Sequence, residues 1–514
     1  MHLARGLARN VAILMGSQVL TSSLSVVIVL LLPHYLGDVG LGRLAFAQSV
    51  CAILGAVTVL GTNLYIVREV AADNSRIQQL VVTGLLTRAP IWLLGSVLAI
   101  VLLSARHVPA ATLWVVAALT VVTLVNVSNG VLSSVLQGLE KMGWRSVAAI
   151  ADTLVVVFVG IPALVLTRNP LVFCAALLAG AVTDLAINGL FFRARIASPR
   201  LPPRSSLLAF GAGAMPFLGL ALAQGVYAQI DTLTLGLLTT ESVVGWFAAA
   251  ARLSTAVVLV PVVLTGALFP VLSRLMPEDG RLGREVLRKM LDITVLVAFP
   301  ISAGLAVVAS RLFEFLDYPA AFEHSIPILV ILGASWSLTA VVMVLGSAAM
   351  AGSGRNLWAI GTIAIVPVFI VLNLGLIPIA TVLFDNGGIG AAAANLIGEG
   401  VMVILALVLL PHETLRLRNL GYAMRVVTAC LVMVAAVASR PTLHLPTAIP
   451  LGVAVYVGAS LLLRTLSPAE IRLALALVRT RNSAKTGQTH NEPGTSSEAD
   501  SPPADGQPVP APVQ

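Results

Sequence analysis

Charge is scarce in this chain. Only 11% of its 514 residues are Asp, Glu, Lys or Arg, against 58% hydrophobic residues. Mean hydropathy is +0.97. A water-soluble surface cannot be built from so few charges, which excludes an ordinary globular enzyme. Lysine is almost absent: Lys141, Lys289 and Lys485 follow Glu, Arg and Ala. No Gly-Lys pair exists, so no Walker motif lies in this chain and ATP is not its direct energy source. No two aspartates stand two residues apart, which removes the Asp-x-Asp often used by sugar-nucleotide enzymes. The three cysteines, Cys51, Cys174 and Cys430, sit singly in apolar runs. They have neither disulfide spacing nor histidine neighbours, and read as small core residues. No histidine or cysteine cluster has metal-ligand spacing. The net charge of +8 is placed in connectors, where it marks topology and not a nucleic-acid partner.

What is abundant is apolar sequence in runs of about twenty residues, each long enough to cross a bilayer as a helix. The runs are continuous and do not alternate, so helices and not a barrel are expected. The basic start "MHLARGLARN" leads into such a run with no small-residue cleavage site after it, and reads as an uncleaved first span. The fold class expected is an all-α polytopic membrane protein of about fourteen transmembrane helices. Spans are predicted over 10–32, 43–64, 80–103, 111–136, 147–166, 171–192, 207–238, 243–268, 291–310, 326–350, 357–378, 389–410, 423–439 and 448–463. An even count puts both termini on one side. With the termini inside, 25 of the 31 basic residues lie on inner segments and 5 on outer ones: Arg43, Arg106, Arg168, Arg311 and Arg440. That bias predicts cytoplasmic termini. Beyond the last span, Ser467 and Glu470 form a capping box with Pro468 at the first helical position. An amphipathic helix on the inner leaflet is predicted over 465–482, and a disordered Pro- and Ser-rich tail over 483–514.

The chain repeats itself. "LGRLAFA" at 41–47 matches "VGWFAAA" at 244–250, an offset of 203, and each follows a Leu-Gly pair. "VLQGLEK" at 135–141 matches "AMAGSGR" at 349–355, an offset of 214. Two parallel six-helix repeats are expected, 1–205 and 206–411, with two further helices in 412–464. Transporters use such halves with a substrate cavity between them. Prolines such as Pro90, Pro300 and Pro367 mark expected kinks.

Charges at membrane depth are the candidate functional groups, because burying them is costly. At 1.5 Å per residue, Asp231 and Arg252 lie roughly 10 Å and roughly 14 Å from the predicted outer surface. Their depths allow a salt bridge that pins spans seven and eight. The alternative is that Arg252 meets an anionic substrate and Asp231 a coupling cation. By the repeat, Asp231 corresponds to Leu32 and Arg252 to Ser49, so the first half lacks both charges and the functional reading gains. Arg88 falls within span three, where it either snorkels to the inner surface or lines a cavity and holds phosphate. Asp184 and Glu399 are deep candidates for proton or cation coupling; Asp152 is nearer the inner end and is expected to be solvated. Gln18, Asn63, Gln224 and Tyr227, with Gln48, Asn126, Asn129, Asn373 and Asn395, offer sugar contacts or plain helix–helix hydrogen bonds.

The sequence resembles the polysaccharide-transporter, or O-antigen-flippase-like, family of the multidrug/oligosaccharidyl-lipid/polysaccharide exporter superfamily. The resemblance rests on "YLGDVGLGRLAFAQ", "VLQGLEKMGWRSVA", "QIDTLTLGLLTTESVVGWFAAAARL", "LFPVLSRL" and "GGIGAAAANLIGE", in that order, and covers about 10–410. It implies a non-enzymatic flippase of the bacterial cytoplasmic membrane. Such a protein moves undecaprenyl-pyrophosphate-linked oligosaccharide by alternating access, with proton or sodium coupling and no other cofactor. It implies a lipid-linked oligosaccharide and the bilayer as partners, with polysaccharide polymerase and glycosyltransferases nearby and no nucleic acid. Within the resemblance, Asp231 and Arg252 are the residues carried over. A lipid II flippase and a cation-coupled drug antiporter of the same superfamily are the alternatives. A membrane glycan polymerase or ligase fits less well, because the outer loops are short.

Overall fold

The computed structural model describes residues 2–193, 204–255, 280–352, 355–410 and 417–465, with isolated positions between 262 and 275. The described residues form helices and no strand. This follows from the apolar runs: a helix satisfies its own backbone hydrogen bonds where no water can. The first half holds α1 (His2–Val59), α2 (Thr62–Ala72), α3 (Ile77–Ala105), α4 (Ala110–Gly138), α5 (Met142–Val155), α6 (Ile161–Thr167) and α7 (Pro170–Arg193). The second holds α8 (Arg204–Tyr227), α9 (Ile230–Leu238), α10 (Glu241–Ser254), α11 (Gly280–Phe315), α12 (Ser325–Ala351), α13 (Arg355–Phe384) and α14 (Gly387–Leu409). Helices α15 (Leu417–Ala438) and α16 (Leu445–Leu462) follow. Residues Met1–Ser460 make one compact unit.

Eleven helices among the described residues are long and apolar enough to cross a membrane, against the fourteen spans expected. The differences have local causes. The first two predicted spans run together as α1, which bends at Gly37 with φ 66° and ψ −176°. A side chain added there would meet nothing within 4 Å, so glycine is needed for its backbone conformation and not for space. The seventh predicted span is broken at Ala228 and Gln229 into α8 and α9. The eighth is described without interruption only to Thr255. The expected amphipathic helix and tail lie outside the described residues, apart from Thr465, as does the side chain of Gln18.

The two strings matched at offset 203 meet face to face. Helix α1, beyond its bend, crosses α10 at Gly42 and Gly245, the residues matched by the offset of 203. A Cβ on Gly42 would lie 1.8 Å from the Glu241 carbonyl oxygen, and one on Gly245 would lie 2.0 Å from the Asp38 carbonyl oxygen. Asp38 and Glu241 are themselves one repeat apart. The contact is therefore reciprocal, as a two-fold relation demands. Both glycines are required for this close approach. We call the end of the bundle holding Gly37, the 106–109 connector and the 239–240 connector the crossing end. Helices α15 and α16 pack against α11, leaving an apolar groove of about 490 Å³ lined by Pro300, Gly304, Met433, Ile449 and Tyr456 among others.

Candidate functional site

A cavity of about 600 Å³ opens within the first half, between α1, α2, α4, α5 and α7. Its polar lining is Gln48, Asn63, Thr123, Asn126 and Asp152. Asp152 therefore faces the cavity. Backbone irregularity frames it: a π-helical turn, Val156–Gly160, follows Asp152 by one helical turn. Gly180 leaves room for the aspartate, since a Cβ there would sit 2.3 Å from its Oδ1.

Arg88 stands directly behind this wall. It is only 2% exposed, so it does not snorkel to a surface. Its Nη1 donates to the Val127 carbonyl at 2.6 Å. Its Nη2 donates to Thr62 Oγ1 at 2.6 Å and to Asn63 Oδ1 at 2.7 Å. No carboxylate lies within ion-pair distance among the described residues. Its partners Asn63 and Val127 also line the cavity, so the charge is one side-chain layer from the space. Across the same half, Asp184 on α7 accepts from Asn129 Nδ2 at 2.6 Å and from Asn188 Nδ2 at 2.9 Å. Asn188 also donates to Asn129 Oδ1 at 2.8 Å, closing a three-residue network.

The second half gathers its carboxylates elsewhere. Asp231 occupies the first turn of α9, immediately beyond the break, where the helix dipole favours an anion. Its Oδ1 accepts from Asn373 Nδ2 at 2.8 Å and its Oδ2 from Asn395 Nδ2 at 2.7 Å. Four residues earlier, across the break, the Tyr227 hydroxyl donates to Glu399. Glu399 lies one turn beyond Asn395 on α14. Helices α8, α9 and α14 are thus joined by two polar rungs.

The salt bridge that equal depth allows between Asp231 and Arg252 is not formed. Equal depth sets the height of two side chains but not their direction around the helix. The break at Ala228–Gln229 starts a new helix, and Asp231 turns to α13 and α14. Arg252 turns the other way, donating from Nη2 to Gln48 Oε1 on α1 at 3.2 Å. Its Nη1 is buried without a hydrogen-bond partner. Arg252 thus reaches from the second half to the rim of the cavity, through a residue that lines it. Of the other candidates, Asn63 lines the cavity while serving Arg88, Tyr227 is committed to Glu399, and Gln224 is exposed.

At the crossing end the halves are latched. Arg43 Nε meets Glu241 Oε2 at 2.7 Å, and the Thr112 hydroxyl donates to the other carboxylate oxygen. On the opposite side of the crossing, Trp246 stacks on His324 with ring centroids 4.3 Å apart. There Tyr318 also donates to the Leu30 carbonyl at 2.9 Å, and His34 Nδ1 contacts the Asp317 carbonyl at 2.7 Å. Depth in the membrane gave no sign of this latch, since Arg43 and Glu241 flank connectors. The repeat offset was the available signal, because it pairs Asp38 with Glu241 across the crossing.

Chemically, the interior offers cations and carboxylates held in amide cages. Among the described residues no group of three His, Cys, Asp or Glu could hold a metal ion. A family model described as "Polysaccharide biosynthesis protein" matches residues 7–276, more than half of the chain. A search of curated protein sequences finds no match. Among solved structures, the lipid II flippase MurJ in an inward closed conformation is similar with TM-score 0.70 and 13% identity, covering 88% of this chain and 98% of that one. An inward-facing multidrug resistance MATE family transporter of the MOP superfamily gives TM-score 0.59 and 14% identity, covering 76% and 94%. The Vibrio cholerae MATE transporter VcmN gives 0.52 and 17%, covering 79% and 96%. At such identities the likeness is one of fold: a multi-pass helical architecture shared with flippases and transporters.

Proposed function

The chain belongs to the polysaccharide biosynthesis protein family, and on that premise we propose that it is a flippase for undecaprenyl-pyrophosphate-linked oligosaccharide. It works by alternating access in a bacterial cytoplasmic membrane, without bond chemistry, between glycosyltransferases that build its substrate and a polymerase that consumes it. The excess of basic residues on the predicted inner segments supports cytoplasmic termini and an outward-facing crossing end. The latch at Glu241 then closes the outer side, and the 600 Å³ cavity belongs to the inward-directed state.

The observation that carries this reading is Arg252. A guanidinium with a buried, unpartnered Nη1 and an Nη2 that donates to an amide oxygen is a costly arrangement. A pyrophosphate entering the cavity offers the oxygens that this cation lacks. Arg88 backs the same space with a second cation lacking an ion-pair partner, reached through Asn63. Asp231, Glu399 and Asp184 are the coupling groups: carboxylates inside the bundle with no basic side chain at ion-pair distance among the described residues.

Arg252→Ala is expected to abolish export of the lipid-linked glycan while membrane protein level stays normal. The measurement is the fraction of glycan accessible to an outer-leaflet probe in sealed vesicles. Normal export in that variant would remove Arg252, and with it this arrangement. Loss of peptidoglycan precursor transport in place of glycan export would favour the lipid II alternative.

A further inference from the structure

The crossing end carries a second cavity, of about 530 Å³, separate from the one just described. It lies between the start of the second segment of α1, the 106–109 connector and the 236–242 segment. Its polar wall includes Arg106, His107, Thr112, Thr240, Glu241 and Ser242. Val39, Val108 and Leu237 supply apolar surface around them. The size falls within the ~300–1,000 Å³ typical of small-ligand clefts.

The repeat shows that this opening is a choice and not a consequence of the fold. Across the crossing, the equivalent crevice lies between α10, the 316–324 connector and the 34–38 segment. There it is filled. Trp246, which the offset of 203 matches to Arg43, stacks on His324. Phe322 is fully buried beside Tyr318, whose hydroxyl is tied to Leu30. One side of the same backbone scaffold is plugged with rings. The other is left open and lined with side chains of both charge signs and with hydroxyls.

We propose that this vestibule binds the sugar units of the exported glycan on the outer side of the closed gate. The lining selects the ligand class. An anion alone would face the Glu241 carboxylate, and a cation alone would face Arg106 and His107. A polyhydroxylated ligand donates to the first and accepts from the others, while its ring faces lie on Val39, Val108 and Leu237. Arg106 has no ion-pair partner among the described residues and is exposed to the space. Glu241 and Thr112 belong both to this wall and to the latch, so a sugar hydroxyl on Glu241 competes with Thr112 and Arg43 for the same oxygens. Occupancy of the vestibule therefore favours release of the latch, by as much as the ligand prefers the unlatched state.

This inference rests on the flippase reading for its choice of glycan, and its test is independent of transport. Full-length protein in nanodiscs is applied to an array of free tri- to hexasaccharides, neutral and acidic. Wild-type protein is expected to retain a subset of them. Arg106→Ala is expected to weaken that retention about tenfold, as loss of a charged hydrogen-bond donor does. Ser242→Trp, which fills the cavity from the opposite wall, is expected to abolish it. Thermal unfolding midpoints near wild type for both variants show that they fold. No retention by the wild-type protein overturns the proposal, as does retention unchanged in both variants. Competition by inorganic pyrophosphate at equal strength also overturns it, by making the vestibule an anion site. Retention without glycan export by the wild-type protein would leave the vestibule standing and sink the flippase reading; export with a silent array would do the reverse.

Discussion

The two halves share a backbone relation and differ in chemistry. Gly42 and Gly245 meet reciprocally, so the crossing is built twice from one pattern. The ionisable groups follow no such rule. The first half buries a cation, Arg88, held by a carbonyl, a hydroxyl and an amide. The second buries two carboxylates, Asp231 and Glu399, held by amides and a phenol. Among the described residues, none of these three charges has an opposite charge at ion-pair distance. The reciprocal contact needs equivalent residues only where the two matched strings touch. Elsewhere each copy is free to acquire its own groups, and these differences are where function is to be sought.

The comparison breaks most completely at the crossing. Gly245→Ala places a methyl group where the Asp38 carbonyl now lies 2.0 Å away. Helices α1 and α10 must separate, and loss of folded protein on size-exclusion chromatography is expected, the outcome of overpacking against backbone. Normal elution and export would mean that the reciprocal contact is dispensable.

Next come the buried charges. Arg88→Met strips Thr62, Asn63 and the Val127 carbonyl of their donor. A cost of about 2–3 kcal/mol is expected, read as a lower thermal unfolding midpoint. Asp231→Asn keeps the shape but leaves one amide donor facing another, since both carboxylate oxygens accept from Asn373 and Asn395. A cost of about 1–3 kcal/mol is expected, with loss of ion-driven export at normal protein level. Retained coupling in that variant would return Asp231 to a purely structural role.

The smallest effect belongs to the latch. Arg43 and Glu241 are 31% and 20% exposed at the side chain, so Glu241→Gln is expected to cost no more than about 1 kcal/mol. Its signature is conformational: faster labelling of a cysteine placed at Val39 from the outer side. Unchanged labelling would show that the aromatic side of the crossing holds the gate alone.

Much of the architecture was legible because hydropathy needs no knowledge of neighbours. Apolar runs of spanning length declare membrane helices. The matched strings at offset 203 located the two glycines that the structure brings together. The breaks were less legible. "YAQI" at 227–230 holds neither glycine nor proline, yet α8 ends and α9 begins there. The partners of the buried charges were not legible at all. Asp231 and Arg252 share a depth, and depth alone does not say which way either side chain faces. Asn373 and Asn395, whose residue type suits sugar contacts or helix–helix hydrogen bonds alike, serve Asp231 from 142 and 164 residues away. Arg88 was placed on its helix, but its direction came from Thr62, Asn63 and Val127 on α2 and α4.

The sequence by itself determined the class of molecule, the helical runs and the matched strings that hold Gly42 and Gly245. Each of these depends on local composition or on a pattern that the chain repeats. Only the tertiary structure decided which charges face one another, which face the cavity and which crevice stays open. A helix presents its side chains all around its axis, and the face turned to a partner is set by the packing of the other helices.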